Sequence, residues 1–449
     1  MYDFYHKIKL YNSLNLPHNK QSIMKKFKII ALLILGGIAH TEAQELDVNL
    51  QIRPRFEYRN GYKTLLPYGQ EGTSEISQRS RLNFNYKQED LTVKLTLQNT
   101  RTWGDVSPST QKDVNGVAVF EAWAQYDFTK KWSARMGRQV LSYDNQRILG
   151  EQDWGQQAQS HDALTVSFHP ENHHLDLGVA YNSDAENTFQ TPYTVSNYKA
   201  MQYVWYHTTF DKVGASLLVL NTGYEFSRTP ATIPVELVVN YKQTFGTYLT
   251  YKTGKIDTNL SAYGQTGKSA DKQVSAWNAA ANFTYNITDS FKAGVGYEIL
   301  SGKDSNDTST AIKSFNPIFG TNHAFNGYMD YFYVGGGHLN NVGLQDAFFK
   351  LNYSVNKWQF ALMPHVFFAA ANVVTPLPQT AKLDSYLGTE IDATFGYNFK
   401  KDIVVTGGYS QMFGSETLEF IKYPGVANHA NNWAWLMISV NPRIFSWKK

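Results

Sequence analysis

Arg53, Arg55 and Arg59 share the odd positions of the segment 47–59, and Arg79 and Arg81 repeat the two-residue spacing in the next alternating segment. Successive side chains of an extended strand point to opposite faces, so residues two apart share a side. Asp47, Asn49, Gln51 and Glu57 fall on the face of the first three arginines, and Asn83 and Asn85 on that of the last two. Guanidinium forks take carboxylate or phosphate in bidentate fashion, so a wall of them favours anions. Lys94 and Arg135 extend the set. Acids occupy the polar positions of other segments: Glu121, Asp127, Glu298, Asp346, Glu390 and Asp392. The competing reading is that these charges pair with one another and merely satisfy a wide polar interior.

Catalysis finds little support. Twelve histidines and many serines make chance Ser/His/Asp sets easy to assemble, and such sets mean little without geometry. No glycine-rich phosphate loop follows a strand and opens a helix. His173–His174 reads as a turn and His323 as part of a long connection. Neither has the helical partner four residues away, or the cysteines, that mark a zinc site. No catalytic residue, metal or cofactor is therefore expected. The chain has no cysteine, so disulfide and thiolate chemistry are excluded. A net charge of +3 is too small to argue for nucleic acid.

The elements that must position these residues are strands. A period of two runs through nearly the whole chain, as in 46–52, 91–97 and 175–181. Strands are predicted near 46–59, 75–87, 91–103, 117–128, 131–141, 161–169, 174–182, 200–210 and 212–221. The rest fall near 241–253, 256–267, 273–286, 291–301, 344–355, 357–370, 385–398, 401–414 and 431–441. Tight turns at 88–90, 129–131, 254–255, 355–357 and 399–401 alternate with long connections near 60–74, 104–116, 183–199, 222–240, 302–343 and 415–430. Short turns on one rim and long loops on the other are the pattern of outer-membrane barrels. The fold class is thus all-β: a transmembrane antiparallel up-and-down β-barrel of 18 strands, with 16 as the alternative, around a polar charged lumen. Closure is forced, because an unpaired backbone group in hydrocarbon costs several kcal/mol. The 29 Tyr, 27 Phe and 10 Trp suit strands and interface girdles.

Upstream, Lys25, Lys26 and Lys28 precede an apolar run from Ile29 to Ile38 and the sequence Thr41-Glu42-Ala43. That is the charged, apolar and small-residue order of a Sec signal peptide, too short to span a bilayer as a helix. Residues 24–43 are expected to be the signal, 1–23 an upstream extension, and 44–449 a single outer-membrane domain cut free after Ala43.

Two segments break the two-residue rhythm, where function is expected to concentrate. One holds Gly137, Arg138, Gln139, Asp144, Arg147, Gly150, Asp153, Trp154 and Asp162; the other holds Phe315, Phe319, His323, Phe325, Asn326, Gly327, Tyr328, Asp330, Tyr331, Phe332 and Tyr333. A long aromatic loop would be unstable in water, so the second is expected to fold into the barrel mouth rather than cover its rim. At these segments the sequence resembles the alginate-export family of bacterial outer-membrane barrels, and the layout from Arg53-Pro54-Arg55 onward is similar too. The resemblance implies an arginine-bearing channel through which an anionic poly- or oligosaccharide passively leaves the cell. Its partners would be outer-membrane lipid and a periplasmic export component. Two other readings stand beside it: a general porin with mild anion preference, and a plugged structural or adhesin barrel. The C-terminus departs from the usual aromatic ending with Trp447-Lys448-Lys449, so the final strand is expected to stop near Val440 and leave a short tail.

Overall fold

Alternating lipid-facing and lumen-facing side chains set the architecture. The computed structural model describes residues 44–109, 115–228, 236–332, 342–375, 381–422, 425 and 427–449; the expected signal segment, the upstream extension and Tyr333 lie outside them. The spanning strands are β1 (Gln44–Asn60), β2 (Thr73–Gln88), β3 (Leu91–Thr102), β4 (Ala118–Asp127), β5 (Trp132–Gln139) and β6 (His161–Phe168). They continue as β7 (His173–Tyr181), β8 (Ala200–Phe210), β9 (Val213–Ser227), β10 (Leu237–Lys252), β11 (Ile256–Ser269) and β12 (Lys272–Asn286). The set ends with β13 (Phe291–Leu300), β14 (Leu344–Val355), β15 (Trp358–Phe368), β16 (Tyr386–Lys400), β17 (Ile403–Gly414) and β18 (Ala430–Val440). Each pairs antiparallel with its neighbours in sequence, and β18 closes the cylinder on β1, with Ile52 opposite Val440 and Asn60 opposite Asn432. All 18 stand where the periodicity predicts them.

Register decides which face meets lipid. Leu46, Val48 and Leu50 stand opposite Tyr86, Phe84 and Leu82, while Arg53 stands opposite Arg79 and Gln51 opposite Arg81. The apolar register is exposed around the outside, at Met136, Leu177, Leu217, Val295 and Leu436. Aromatic side chains crowd the rim of short turns, at Phe128, Trp132, Phe210, Tyr285, Trp358 and Phe399, as a membrane-interface girdle requires. No described helix is long and apolar enough to cross a membrane; crossing falls to the strands.

Some details differ from the sequence expectations. β9 runs on to Ser227, which stands opposite Leu237, so the long connection expected over 222–240 shrinks to 228–236. Gly223, within this extension, gives room to the ring of Tyr241; a Cβ there would stand 2.7 Å from Tyr241 Cε1. The last strand does not end in a tail. Beyond Asn441-Pro442, β19 (Arg443–Lys448) pairs with the start of β1, Leu46 opposite Trp447 and Val48 opposite Phe445. Pro442 donates no hydrogen bond but accepts one from Leu50 N at 3.0 Å, which lets the strand resume. The long-loop rim also includes a two-residue turn between β11 and β12. His173 and His174 lie on β7 rather than in the preceding turn.

The apolar core sits inside the cylinder. Leu141, Ile148 and Leu149 from the 140–160 loop pack in one cluster with Phe315, Phe319, Met329, Tyr331 and Phe332 from the 301–343 loop. Phe315, Tyr331 and Phe332 are almost wholly buried, and each such ring contributes about 1.5–3 kcal/mol. The second loop is therefore folded inward.

Candidate functional site

The two rhythm-breaking segments meet each other within the lumen. Leu149 and Phe319 form a parallel bridge: Gly150 N donates to Phe319 O at 3.0 Å and Phe319 N to Ile148 O at 3.2 Å. Asp144, Gln146, Gln152 and Ala158 in one loop, and Ile318, Asn326 and Asp330 in the other, hold positive φ. Such backbone is costly outside glycine, most of all for a β-branched residue, and persists only where surrounding contacts over-determine it.

On one side the loops meet a basic wall. Asp153 accepts from Arg79 at 2.7 Å and from Arg53 at 2.9 Å, and Arg81 lies 3.6 Å away. Gln156 Oε1 accepts a further hydrogen bond from Arg53 at 3.1 Å. Arg55 donates to Trp154 O at 2.7 Å and to Glu57 at 2.9 Å, and its guanidinium covers the Trp154 ring at 3.9 Å. Arg59 pairs with Glu57 and Glu75. Burial alone would raise the Asp153 carboxyl, but Arg79, Arg53 and Arg81 outweigh it and hold the group below the ordinary carboxylate range. Arg53, Arg79 and Arg81 are thus directed at the loop carboxylate of Asp153, while Arg55 and Arg59 also border open space.

Across the lumen stands an acidic wall. Glu298 accepts two hydrogen bonds from Arg147, at 2.8 and 2.9 Å, and one each from Asn278 and Asn326 at 2.8 Å. Asn326 also donates to Asp346 at 3.2 Å, whose other oxygen lies 2.8 Å from His365 Nδ1. Loop backbone donates too: Met329 N to Glu390 at 2.8 Å and Tyr328 N to Asp392 at 3.3 Å. Gly327 must be glycine here. Its φ is +84°, and a Cβ would sit 2.8 Å from the Glu390 carboxylate.

Between the walls Trp154 and His323 stack, and His323 Nδ1 bonds Asp330 at 2.8 Å. The Tyr62 hydroxyl also donates to Asp330; burial and that carboxylate keep it protonated well above its usual range. A cavity of about 510 Å³ opens on the long-loop side, lined by Arg55, Arg59, Tyr62, Lys63, Trp154 and His323 among others. A second, of about 450 Å³, opens on the short-turn side between Trp154, His323, Tyr328, Asn352, Gln359 and Trp435. Trp154 and His323 line both.

The remaining expected residues lie elsewhere. Lys94 pairs with Glu121 on the β3–β4 wall. Arg135 donates to Gln125, which in turn donates to Asp127, and the Arg135 guanidinium covers Trp123 at 4.4 Å. Gln139 donates to Ala163 O at 2.8 Å, and Gly137, at φ +123°, lies against the carbonyl of Ala122. Gly150 packs against Thr321. Asp144 accepts from Trp205 Nε1 at 3.2 Å. Arg138 and Asp162 face outward and pair with each other at 2.8 Å, apart from the inner cluster. Sequence reasoning missed Tyr62, Gln156, His365 and Trp433. Of these, only His365 carried a legible signal, an inward position on a strand facing Asp346 and Asp392.

A closed 18-stranded antiparallel barrel with an apolar exterior, an aromatic rim and inward-folded loops defines an outer-membrane channel of a bacterial cell. The chain belongs to the alginate export family, whose model matches residues 44–419. No curated protein matches it in sequence. Among solved structures, OccAB4 of Acinetobacter baumannii aligns over 91% of this chain and 99% of its own, with a TM-score of 0.60 and 10% identity. A BenF-like porin from Pseudomonas fluorescens Pf-5 aligns over 89% and 99%, with a TM-score of 0.59 and 13% identity. OccK11 (OpdR) of Pseudomonas aeruginosa aligns over 89% and 96%, with a TM-score of 0.56 and 9% identity. At such identities the likeness speaks for the fold alone.

Proposed function

We propose that this channel passes anionic saccharides, oligomeric or polymeric, outward across the outer membrane. The selective contact is the cavity on the long-loop side, where Arg55, Arg59 and Lys63 border the rings of Tyr62 and Trp154. Cations beside aromatic faces suit a sugar carboxylate on one edge and its C–H face on the other. The cavity volume falls within the roughly 300–1,000 Å³ of small-molecule sites. A periplasmic partner delivering the chain would meet the rim of short turns. The family membership supports this reading, and so does the basic side of the cavity.

Single-channel recording in planar bilayers tests it. Uronate oligomers should block the current at concentrations where neutral oligosaccharides of equal length do not. Arg55→Gln with Arg59→Gln should weaken that block at least tenfold while the barrel still assembles. Conductance without block would make this a general porin. The Trp154–His323 stack at the junction of the two cavities favours one further reading, a plugged barrel, which absent conductance would establish.

A further inference from the structure

Away from the inner cluster, three potential metal ligands converge at the short-turn end of the lumen. His169 lies in the turn joining β6 to β7, and His174 and Asp176 occupy alternate positions on β7. The outward positions between and beyond them are Leu175 and Leu177, so both point into the lumen. The rings of His169 and His174 have centroids 3.8 Å apart, and His174 Nε2 lies 2.7 Å from Asp176 Oδ1. One donor atom from each residue falls within 4.8 Å of the other two.

We propose that His169, His174 and Asp176 form a binding site for a divalent transition metal of the zinc class. Two imidazoles and a carboxylate are a donor set that zinc, cobalt and nickel accept. In a tetrahedral site with bonds of about 2.0–2.1 Å, donors stand roughly 3.4 Å apart. The ion would take the place of the hydrogen between His174 and Asp176. His169, exposed in its turn, would close the remaining distance by a rotamer change. The fourth position faces the lumen and is left for water or a passing carboxylate.

The surroundings are built to hold these ligands. Asp176 Oδ2 accepts from Tyr143 Oη at 2.9 Å, which leaves Oδ1 for the ion, and the Trp205 indole meets the His174 ring edge-on at 4.9 Å. Partners of this kind orient ligands and are themselves worth ten- to hundredfold in affinity. The Tyr143 ring also lies tilted against Trp205, centroids 4.8 Å apart, and Trp205 donates to Asp144, so the 140–160 loop is fastened to the same patch. His207, directly opposite His174 on β8, is occupied with Ser216 and Thr209. The site rests on these residues alone and does not depend on which solute the channel carries.

The test uses the full barrel, purified without a histidine tag and stripped with a chelator. Zinc titrated by calorimetry should bind at one ion per chain, and cobalt should give the intense visible bands of a four- or five-coordinate ion. His169→Ala and His174→Ala should each weaken zinc at least tenfold and abolish the cobalt bands, with heat-modifiable migration unchanged. His173→Ala, on the outward face against Tyr206, should alter neither. Absence of stoichiometric binding, or binding indifferent to both lumen variants, would overturn the proposal.

Discussion

The ring of Trp154 lies 4.4 Å from that of His323, with the two planes 11° from parallel, although the residues belong to different loops. Each is backed by a second cationic or aromatic group, Arg55 over Trp154 and the Tyr328 ring 5.7 Å from His323. Trp433 and Trp435 wall the stack edge-on from β18. Because both rings line the cavity on either side, the pair forms the partition between them.

Removing half of the partition should join the cavities. Trp154→Ala is expected to raise single-channel conductance roughly twofold or more, since the narrowest point governs passage. No strand is touched, so the barrel should keep its heat-modifiable mobility. Unchanged conductance would place the constriction elsewhere.

Asp153 balances buried arginines, and its loss should expose their charge. Arg53 and Arg79 are buried while the Asp153 side chain is 41% exposed. Asp153→Asn should therefore cost about 1–3 kcal/mol, less than the loss of a fully buried partner. The reversal potential should move toward anions. Acid should act in the same direction. A carboxyl held below its unfolded value contributes stability that is full above about pH 4 and lost as pH falls through the lowered value. Anion preference should thus step upward only below about pH 4, and the Asn variant should lack that step.

Much of this was legible in the sequence, but not the pairings. Strand periodicity placed all 18 spanning segments and separated Arg53 and Arg79 from Leu82 and Phe84, because alternation is a local property. The two loop segments stood out as breaks in that rhythm. That Asp153 would reach Arg79 is a contact between residues 74 apart, and no local pattern encodes it. The strand at Arg443–Lys448 escapes the sequence reading because the Trp447-Lys448-Lys449 ending departs from the usual aromatic terminus, whereas the Pro442 carbonyl accepts from Leu50 N and the ladder continues beyond it. His169, His174 and Asp176 were passed over because zinc was sought at helical spacing. On a hairpin, alternate residues and the turn before them share a side.

The mature chain is expected to begin at Gln44, on the strength of the basic, apolar and small-residue order before it. Intact mass of protein extracted from outer membranes measures this directly. A mass that retains residues 1–23 would reject both the cleavage and the upstream extension.

Arg147 and Glu298 fasten the inner structure to the wall, and a double-mutant cycle should show it. Their side chains are 2% and 5% exposed, joined by two hydrogen bonds, and Arg147 also donates to Asn326 at 2.9 Å. Both loops therefore meet the β13 wall at the Glu298 carboxylate. Arg147→Ala leaves Glu298 buried beside Asp346 with no cation and should cost about 3–5 kcal/mol. Glu298→Gln should cost less, because the amide still accepts one hydrogen bond from the guanidinium. Arg147→Ala with Glu298→Gln should recover part of the loss, since no unpaired charge then remains at that position. The loop carries its own readout. Limited proteolysis should cut within 301–343 in the Ala variant well before the wild type, and channel current should become noisier. Equal protection in both would mean that the buried rings of Phe315, Tyr331 and Phe332 hold the loop by themselves, with the ion pair a passenger.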